Sequence, residues 1–392
     1  MRILWIVSEL FPPDETSTAF IMGEIANAMS QKYDVKVITG PEIYDKRKKL
    51  DPNNSFRLND NIKIFRVKTI DADKNTIKGK IETVLVSSFK IAKEVKKHVK
   101  PEDKVLMVTN PLPLVVLMAK LKSKIGFELN ILVHDIFPEN AKPSHIYIPF
   151  ASVVKKIYDI SYAKADLLIA LGRDMKLVLE KKLIGFKNFP QIVIIENWTD
   201  IVNIRPNERA CDNKIVIEYA GNIGRGQGLS SFITNLKKSN NNKLKFDLYG
   251  TGALEETLKT FVKNNNIKDV EFHGAYFRSQ QNVVLNNCDI ALVTLAEGLY
   301  GLGVPSKTYN IMAAGKPILF IGHTDSEIAL LIKEKGFGYV FSEEDEKGII
   351  SFLADMQPSK KEELRVKGEI ARKVAEEEYA KEKILEKFKQ VI

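Results

Sequence analysis

Short apolar segments alternate with amphipathic segments along almost the whole chain. Residues 2–7, 105–109 and 215–219 are largely apolar, which is typical of strands covered on both faces. Residues 77–99 carry apolar side chains at helical spacing. This alternation predicts an α/β fold with largely parallel, doubly wound sheets. Because 392 residues are too many for one ordinary core, we expect two domains, joined by the polar, aperiodic residues 203–213.

Several classes of protein do not fit this sequence. No apolar run approaches the roughly 18 residues that a membrane-spanning helix needs. Residues 1–7 are too short for the apolar part of an export signal and are soon followed by Glu9. Cys211 and Cys288 cannot form a disulfide framework, and no spacing of ligands suggests a metal site. We therefore expect a cytoplasmic protein without a metal or cofactor.

The positive charge is concentrated in one stretch. The formal net charge is +9, and residues 61–100 hold 11 basic and 4 acidic residues. Four lysines lie on the predicted helix 77–99: Lys90, Lys93, Lys96 and Lys97. Such a stretch beside apolar side chains suggests an anionic surface, and the alternative is a charged helix that only aids solubility. No RNA motif or aromatic array accompanies it, so we expect no nucleic-acid partner.

Residues 301–317 predict a short helix beside an anion site. A glycine-rich approach leads to Pro305, which suits a first helical position, although Ser306 could be the cap instead. Either way Lys307 lies in or beside the first turn, where a lysine is unfavourable unless an anion is near. Gly315 should end the helix. A solvated lysine is the alternative reading.

Two glycine-rich turns follow predicted strands of the second half. Residues 221–228 contain four glycines, and residues 250–252 contain two. Glycines let backbone N–H groups approach an anion closely, but neither turn has the spacing of a dinucleotide fingerprint or a P-loop. Either turn could therefore be purely structural.

Polar side chains also follow predicted strands in both halves. His134, Asp135 and Glu139 come after the apolar segment 127–133, and Glu297 comes after 289–295. Such positions bind ligands in open α/β sheets and suit acid–base chemistry. Capping or solvated side chains are the alternative for each.

The order of these motifs resembles that of the family 4 glycosyltransferases. Within that family the chain looks most like amino-sugar transferases of bacterial O-antigen and capsule assembly. The resemblance covers nearly the whole chain and is strongest over residues 215–321. It is carried by Tyr219-Ala220-Gly221-Asn222-Ile223, Gly228-Leu229, Phe246 to Gly252, Phe272-His273-Gly274 and Pro305 to Pro317, with His134-Asp135 and Glu196-Asn197 in the first half.

The resemblance implies the GT-B architecture, in which two Rossmann-like domains face each other across a cleft. Residues 1–202 would bind the acceptor and residues 214–375 the nucleotide sugar. Residues 203–213 would link the two. The C-terminal helices would pack back toward the N-terminal domain, with residues 376–392 crossing to it.

The resemblance also implies a metal-independent reaction that retains the anomeric configuration. Developing charge on the leaving diphosphate would be stabilised by Lys307, by the helix start at Ser306 and by backbone amides. His134 would meet the donor sugar. The implied catalytic residues are His134, Asp135, Glu297 and Lys307. The implied donor-nucleotide residues are Gly221, Asn222, Arg225, Gln227, Gly250, Gly252, His273, Gly274, Ser306, Lys307 and Asn310.

The chain departs from the family pattern in its charges. The family commonly has two glutamates seven residues apart, where this chain has Leu302 and Asn310. Glu297 is a candidate for the first glutamate at a different spacing. The family's arginine and lysine near the diphosphate are replaced by Asn222 and Gln227, so we expect Lys307 to supply the missing charge.

Arg225 is a second candidate for that charge. We thus expect a glycosyltransferase that moves an N-acetylated amino sugar from a UDP-sugar to a lipid-linked or saccharide acceptor in surface polysaccharide synthesis. It would sit peripherally at the inner face of the plasma membrane, held by the basic segment 61–100. The alternatives are a UDP-sugar 2-epimerase of the same architecture and a non-enzymatic sugar-nucleotide binder.

Overall fold

The computed structural model describes residues 2–43, 50–68, 77–143, 147–207, 209 and 213–392, without the side chains of residues 77, 78, 80, 81 and 225. Cys211 and parts of segments 61–100 and 203–213 lie outside the described residues. The chain forms two compact units. The first comprises Met1–Ala141, Tyr147–Ile195 and Leu385–Ile392, and the second comprises Lys142–Ile146 and Glu196–Ile384. The predicted domain limits stay predictions.

The first unit contains a seven-stranded sheet in which every described pairing is parallel. Its strands are β1 (Ile3–Ser8), β2 (Asp34–Thr39), β3 (Lys63–Arg66), β4 (Lys104–Val108), β5 (Glu128–Leu132), β6 (Leu167–Ala170) and β7 (Gln191–Ile194). They lie in the order β3-β2-β1-β4-β5-β6-β7. The central strands are buried along most of their length, which explains why they appear as apolar runs in the sequence.

Five helices in the described part of the first unit pack around this sheet. They are α1 (Ser17–Met29), α2 (Ile77–His98), α3 (Leu112–Ile125), α4 (Ala151–Ala163) and α5 (Arg173–Leu183). The last residues of the chain also belong to the first unit. The Tyr33 hydroxyl and the Lys104 ammonium donate to the Ile392 carbonyl, at 2.6 and 2.5 Å. The C-terminus is therefore fastened to the N-terminal sheet, in agreement with the predicted packing.

The second unit contains a six-stranded parallel sheet. Its strands are β8 (Ile215–Ala220), β9 (Leu244–Tyr249), β10 (Val270–Gly274), β11 (Ile290–Thr294), β12 (Ile318–Ile321) and β13 (Gly338–Phe341). The order is β10-β9-β8-β11-β12-β13. Strand order reverses direction at β8 and β11, and such a switch point is where doubly wound sheets bind ligands. The two sheets confirm the predicted fold class.

The helices that follow are α6 (Leu229–Ser239), α7 (Glu255–Asn264), α8 (Gln281–Asn286), α9 (Lys307–Ala313), α10 (Glu327–Lys335), α11 (Glu346–Asp355), α12 (Lys361–Glu378) and α13 (Lys381–Val391). The main core of the unit lies between the sheet and α6, α7 and α11, where Tyr219, Phe232, Phe246 and Leu353 are buried. Among the described helices, none combines the length and hydropathy that crossing a membrane requires.

The structure corrects one detail of the sequence interpretation and decides between two alternatives for another. Apolar side chains at helical spacing predict one C-terminal helix over about residues 359–391. That prediction is wrong, because the chain leaves α12 at Tyr379 and pairs with Thr199 before α13 begins. The Thr199 N–H donates to the Tyr379 carbonyl, and the Lys381 N–H donates to the Thr199 carbonyl, both at 3.0 Å. Pro305 is not the first helical residue, because Ser306 is the N-cap of α9. Lys307 is thus the first residue of that helix.

Candidate active site

The Lys307 ammonium is buried over the ring of Tyr219. Its Nζ lies 3.4 Å from the ring centroid and has no hydrogen-bond partner among the described residues. Tyr219 is the last but one residue of β8, so the lysine lies at the carboxyl edge of the sheet. Burial lowers the pKa of Lys307 to about 7, although the charge of Glu218 opposes the shift. The ring stabilises the ammonium, and none of the described carboxylates forms a hydrogen bond with it.

Tyr219 also organises the first glycine-rich turn. Its hydroxyl lies 2.7 Å from the Asn222 carbonyl and 3.1 Å from Gln227 Oε1. Asn222 and Gln227 replace the family's two cations. Both are therefore hydrogen-bonded to Tyr219, the residue whose ring lies under the Lys307 ammonium. The Arg225 side chain lies outside the described part of the chain, so its predicted role stays a prediction.

The glycines of the two turns allow one backbone segment to pack on another. Gly250 has φ +124, and a Cβ there would lie 1.9 Å from the Gly221 carbonyl oxygen. A Cβ at Gly252 would lie 2.3 Å from the Ile223 carbonyl oxygen. Gly250 donates its N–H to the Gly274 carbonyl at 2.6 Å. Glycine is therefore required at 250 and 252 by chain packing, whether or not a nucleotide binds there.

Gly221 lies beside the buried lysine. Its φ is +154, and a Cβ at this position would lie 3.5 Å from Lys307 Nζ and 3.7 Å from the Tyr219 hydroxyl. The structure thus brings Gly221 and Lys307 together, as the sequence interpretation expected for a diphosphate site.

Helix α9 also presents Ser306 and Asn310. The Ser306 side chain makes no capping hydrogen bond in the described structure. Asn310 Oδ1 accepts a hydrogen bond from the Thr199 hydroxyl at 2.9 Å. An amide that already accepts this bond has less capacity for a ribose hydroxyl than the carboxylate usual in the family.

Glu297 is exposed, and a second carboxylate lies beside it. The Glu297 backbone N–H donates to Glu343 Oε2 at 2.5 Å, and a Cβ on Gly228 would lie 3.1 Å from Glu343 Oε1. Burial raises the pKa of Glu343. Glu343 follows β13 at the same carboxyl edge, and the sequence interpretation missed it although it obeys the rule that drew attention to Glu297.

His273 belongs to a charged group on β9 and β10. Its ring stacks on Tyr249 with centroids 4.3 Å apart, and its Nε2 lies 3.2 Å from Asp247 Oδ1. Asp247, Glu271 and His273 offer ligand atoms within 4.8 Å of one another, which is close enough for all three to contact one metal ion. Lys245 Nζ already lies 3.0 Å from Asp247 Oδ1 and 2.7 Å from Glu271 Oε2 and neutralises charge there. Parallel pairing of β9 and β10 assembles this group, so the sequence spacing did not reveal it.

His134 and Asp135 follow β5 in the first unit. The His134 N–H donates to Thr109 Oγ1 at 3.1 Å, and its Nδ1 lies 3.4 Å from Thr18 Oγ1. Nε2 is buried without a described partner, and burial lowers the pKa of His134 to about 4. The imidazole is therefore neutral near pH 7, and its Nε2 makes no hydrogen bond with a described residue. The Asp135 side chain is exposed.

The four lysines of the predicted membrane surface lie on α2. Lys90 donates to the Lys68 carbonyl at 2.6 Å, and Lys97 lies 3.8 Å from Glu94. All four side chains are exposed, as are the neighbouring Leu85 and Phe89.

Comparison with known proteins identifies the family. Residues 200–373 match the model of glycosyl transferases group 1. The probable glycosyltransferase WbjE of Pseudomonas aeruginosa is 30% identical over 330 residues, which cover 81% of each protein. The chain belongs to this glycosyltransferase family.

A second relative and a solved structure agree with that assignment. The putative colanic acid biosynthesis glycosyl transferase WcaI of Escherichia coli is 24% identical over 54% of this chain and 51% of its own length. The structure of Alr3699/HepE from Anabaena in complex with UDP covers 100% of this chain and 99% of its own, with 12% identity and a TM-score of 0.69. At that identity the likeness concerns the fold.

The part of this glycosyltransferase that matches the family model includes Gly221, Lys307, Glu297 and His273, all of which lie in the second unit. The structure brings Lys307, Gly221, Asn222 and Gln227 together around Tyr219. The sequence interpretation quoted Tyr219 as part of a motif but did not assign it to the site. An aromatic residue at the end of a buried strand, just before a glycine-rich turn, was the signal that could have indicated it.

Proposed function

We propose that this glycosyltransferase transfers an N-acetylated amino sugar from a UDP-sugar to a lipid-linked saccharide, with retention of the anomeric configuration. The observation that carries the proposal is the buried Lys307 ammonium beside Gly221, which makes no hydrogen bond with any described residue. A buried cation without an anion is costly, and a diphosphate would supply that anion.

The chemistry of the proposed donor site follows from its charges. As the bond between sugar and UDP breaks, negative charge grows on the diphosphate. Lys307, held against the Tyr219 ring, is already oriented and largely desolvated, so it stabilises that charge with little reorganisation. The Gly221 turn lets backbone N–H groups approach the same phosphates. We propose that this arrangement makes a metal ion unnecessary.

The neutral His134 suits a different task. Its unpartnered Nε2 can form a hydrogen bond with a sugar hydroxyl but cannot act as a charged acid near pH 7. We therefore assign His134 to positioning the donor sugar. Glu297 and Glu343 are the candidate carboxylates for sugar or ribose hydroxyls, because they lie together at the same sheet edge.

The names of similar proteins support the proposed pathway and donor. WcaI is described as a colanic acid biosynthesis enzyme, and the HepE structure contains UDP. These names favour a role in bacterial surface polysaccharide synthesis with a UDP-sugar donor. A lipid-linked acceptor would also require the enzyme to sit on the inner face of the plasma membrane, with the basic helix α2 toward anionic lipid.

A thermal-shift screen tests the donor. We expect stabilisation by UDP and UDP-N-acetylamino sugars and none by GDP, ADP or free sugar. Lys307→Ala should abolish that stabilisation, and unchanged UDP affinity would contradict the proposed role of Lys307.

A transfer assay tests the reaction. UDP should form only when a lipid-linked acceptor is added, and the anomeric coupling constant of the product should match that of the donor. Activity should survive EDTA. Sugar isomers formed without any acceptor would indicate the 2-epimerase instead, and loss of activity in EDTA would direct attention to Asp247, Glu271 and His273.

A further inference from the structure

The outward side of α4 is apolar, where a surface helix usually carries charged side chains. Its inward side is held in the core by Tyr158 and Tyr162, which are buried. Its outward side carries four large apolar residues at helical spacing: Phe150, Val153, Ile157 and Ile160. Phe150 is 83% exposed and Val153 59%. Helix α4 is thus apolar on two sides, and within the described part of the chain one of these sides is exposed.

Exposed apolar side chains also occur on and directly after the next helix, α5. Leu177 on α5 and Ile184, which directly follows its last residue, are both exposed. Among the described residues, 15 large apolar side chains are exposed, and 8 of them fall between residues 147 and 189. These eight, here called the α4–α5 surface, are Tyr147, Phe150, Val153, Ile157, Ile160, Leu177, Ile184 and Phe189. Single exposed apolar residues are ordinary, but a concentration of this kind marks an interaction site.

The strand order places this surface in one layer with the basic helix α2. From β3 through β4, β5 and β6 to β7, each crossover steps in the same direction along the sheet. Right-handed crossovers therefore put α2, α3, α4 and α5 on the same side, and each of these helices packs on the next. The lysines of α2 and the α4–α5 surface share the outer side of one helical layer.

The charges around the α4–α5 surface are predominantly positive. Between residues 147 and 189 the exposed charged side chains are Lys155, Lys156, Lys164, Lys181 and Lys187 against Asp166. Asp166 is itself paired with Lys122. Lysines beside exposed aromatic and aliphatic side chains fit the headgroup region of an anionic bilayer. A symmetric contact with a second copy would bring these lysines against each other, which is unfavourable.

We propose that the α4–α5 surface inserts into the headgroup region of an anionic membrane, while the lysines of α2 provide the longer-range attraction. This inference deepens, and rests on, the peripheral membrane location in the proposed function. It changes the location of the anchor, since the basic stretch 61–100 offers only two exposed large apolar residues among its described part, Leu85 and Phe89. Docking by this layer would hold the first unit at the surface where a lipid-linked acceptor is found.

Vesicle sedimentation tests the inference on the full chain. The vesicles are phosphatidylcholine alone, or with about a third phosphatidylglycerol, at low and at physiological salt. Wild type should bind the anionic vesicles. The double variant Phe150→Glu, Ile157→Glu should bind them at least about tenfold more weakly, because the apolar anchors become charged. Val283→Glu is the matched control: Val283 is 63% exposed on α8 in the second unit, and binding should be unchanged.

A second double variant distinguishes the contribution of α2 to membrane binding from that of the α4–α5 surface. Lys93→Gln, Lys96→Gln should weaken binding and reduce its salt dependence while the apolar anchors remain. The inference is overturned if this pair abolishes binding while Phe150→Glu, Ile157→Glu leaves it intact. It is also overturned if gel filtration shows a wild-type dimer that the glutamate variant converts to a monomer, because the surface is then an interface between copies.

The UDP-induced thermal shift of every variant is measured in parallel. We expect wild-type shifts throughout, since none of these residues belongs to the donor site. Wild type that binds no vesicles even at low salt, yet is stabilised by UDP, overturns the membrane inference and leaves the proposed donor intact. Absence of any UDP effect contradicts the proposed function independently.

Discussion

The affinity of this glycosyltransferase for UDP should fall as the pH rises above 7, and Lys307 should be the cause. Without ligand, burial lowers the pKa of Lys307 from 10.5 to about 7, so above pH 7 most of the enzyme carries a neutral amine. A bound diphosphate favours the ammonium and raises that pKa. Binding then takes up a proton, and each unit of pH above 7 should weaken binding by up to about tenfold.

The lowered pKa of Lys307 sets an upper limit on how strongly UDP binding can depend on pH. The difference between 10.5 and about 7 corresponds to about 5 kcal/mol between the two protonation states. If UDP restores the ordinary pKa, the dissociation constant at pH 8.5 should be about 25-fold larger than at pH 6.5. The second ionisation of a phosphate, near pH 6, lies below this window and contributes little to the change.

Isothermal titration calorimetry at pH 6.5, 7.5 and 8.5 measures this effect. Two buffers with different ionisation enthalpies report the protons taken up, which should approach about one per UDP at pH 8.5. Lys307→Met keeps the length of the side chain without its charge, so it should bind UDP weakly at every pH and show no slope. Lys316→Met removes a lysine before β12, at the opposite edge of the sheet, and should keep the wild-type slope. A flat wild-type profile without proton uptake, or a slope that persists in Lys307→Met, would refute the reasoning.

Three further outcomes concern stability and are measured by thermal unfolding. Lys307→Met should stabilise the ligand-free protein at pH 6.5 by up to about 4 kcal/mol, because the buried ammonium, whose pKa is lowered, is charged at that pH. The stabilisation should become smaller as the pH rises above 7. Equal melting temperatures of variant and wild type at pH 6.5 would contradict this. The pKa of His134 is about 4 in the folded protein, so the unfolded chain binds the proton more readily and the folded protein loses stability as the pH falls from 6.5 to 4. The loss should be about 2.5 kcal/mol between pH 7 and 4.5. The His134→Asn variant should lose less stability over the same interval. Gly250→Ala should destabilise the protein by at least about 2 kcal/mol, because the new Cβ clashes with the Gly221 carbonyl. Gly185 has φ +89 and no neighbour within 4 Å, so Gly185→Ala should cost only about 1 kcal/mol. Equal losses would mean that strain at positive φ alone explains the effect.

Much of the local structure was predictable from the sequence. The buried strands of both sheets appear as apolar runs, and the end of α9 shortly before Gly315 follows from the composition of that segment. These features depend on periodicity and on hydrogen bonds between residues close in the chain, so a short segment contains the necessary information. The order of motifs likewise indicated the family before any tertiary contact was known.

Other features depend on contacts between distant segments. The sequence predicted an anion near Lys307, but only the tertiary structure, which brings the first residue of α9 against Tyr219 of β8, places the ammonium over that ring and lowers its pKa. Glu343 approaches Glu297 because β13 lies at the edge of the same sheet. The break at Tyr379 arises because Thr199 competes for the backbone groups that would otherwise extend the helix.

Helix α4 illustrates the same division. Its sequence determines that it is a helix and that apolar side chains lie on more than one side of it. Which of those sides is buried depends on the position of α4 between α3 and α5 on the sheet, and that position follows from the strand order. Periodicity is a property of one segment, whereas burial is a property of the neighbours that cover it, so only the tertiary structure decided that Phe150 and Ile157 face outward.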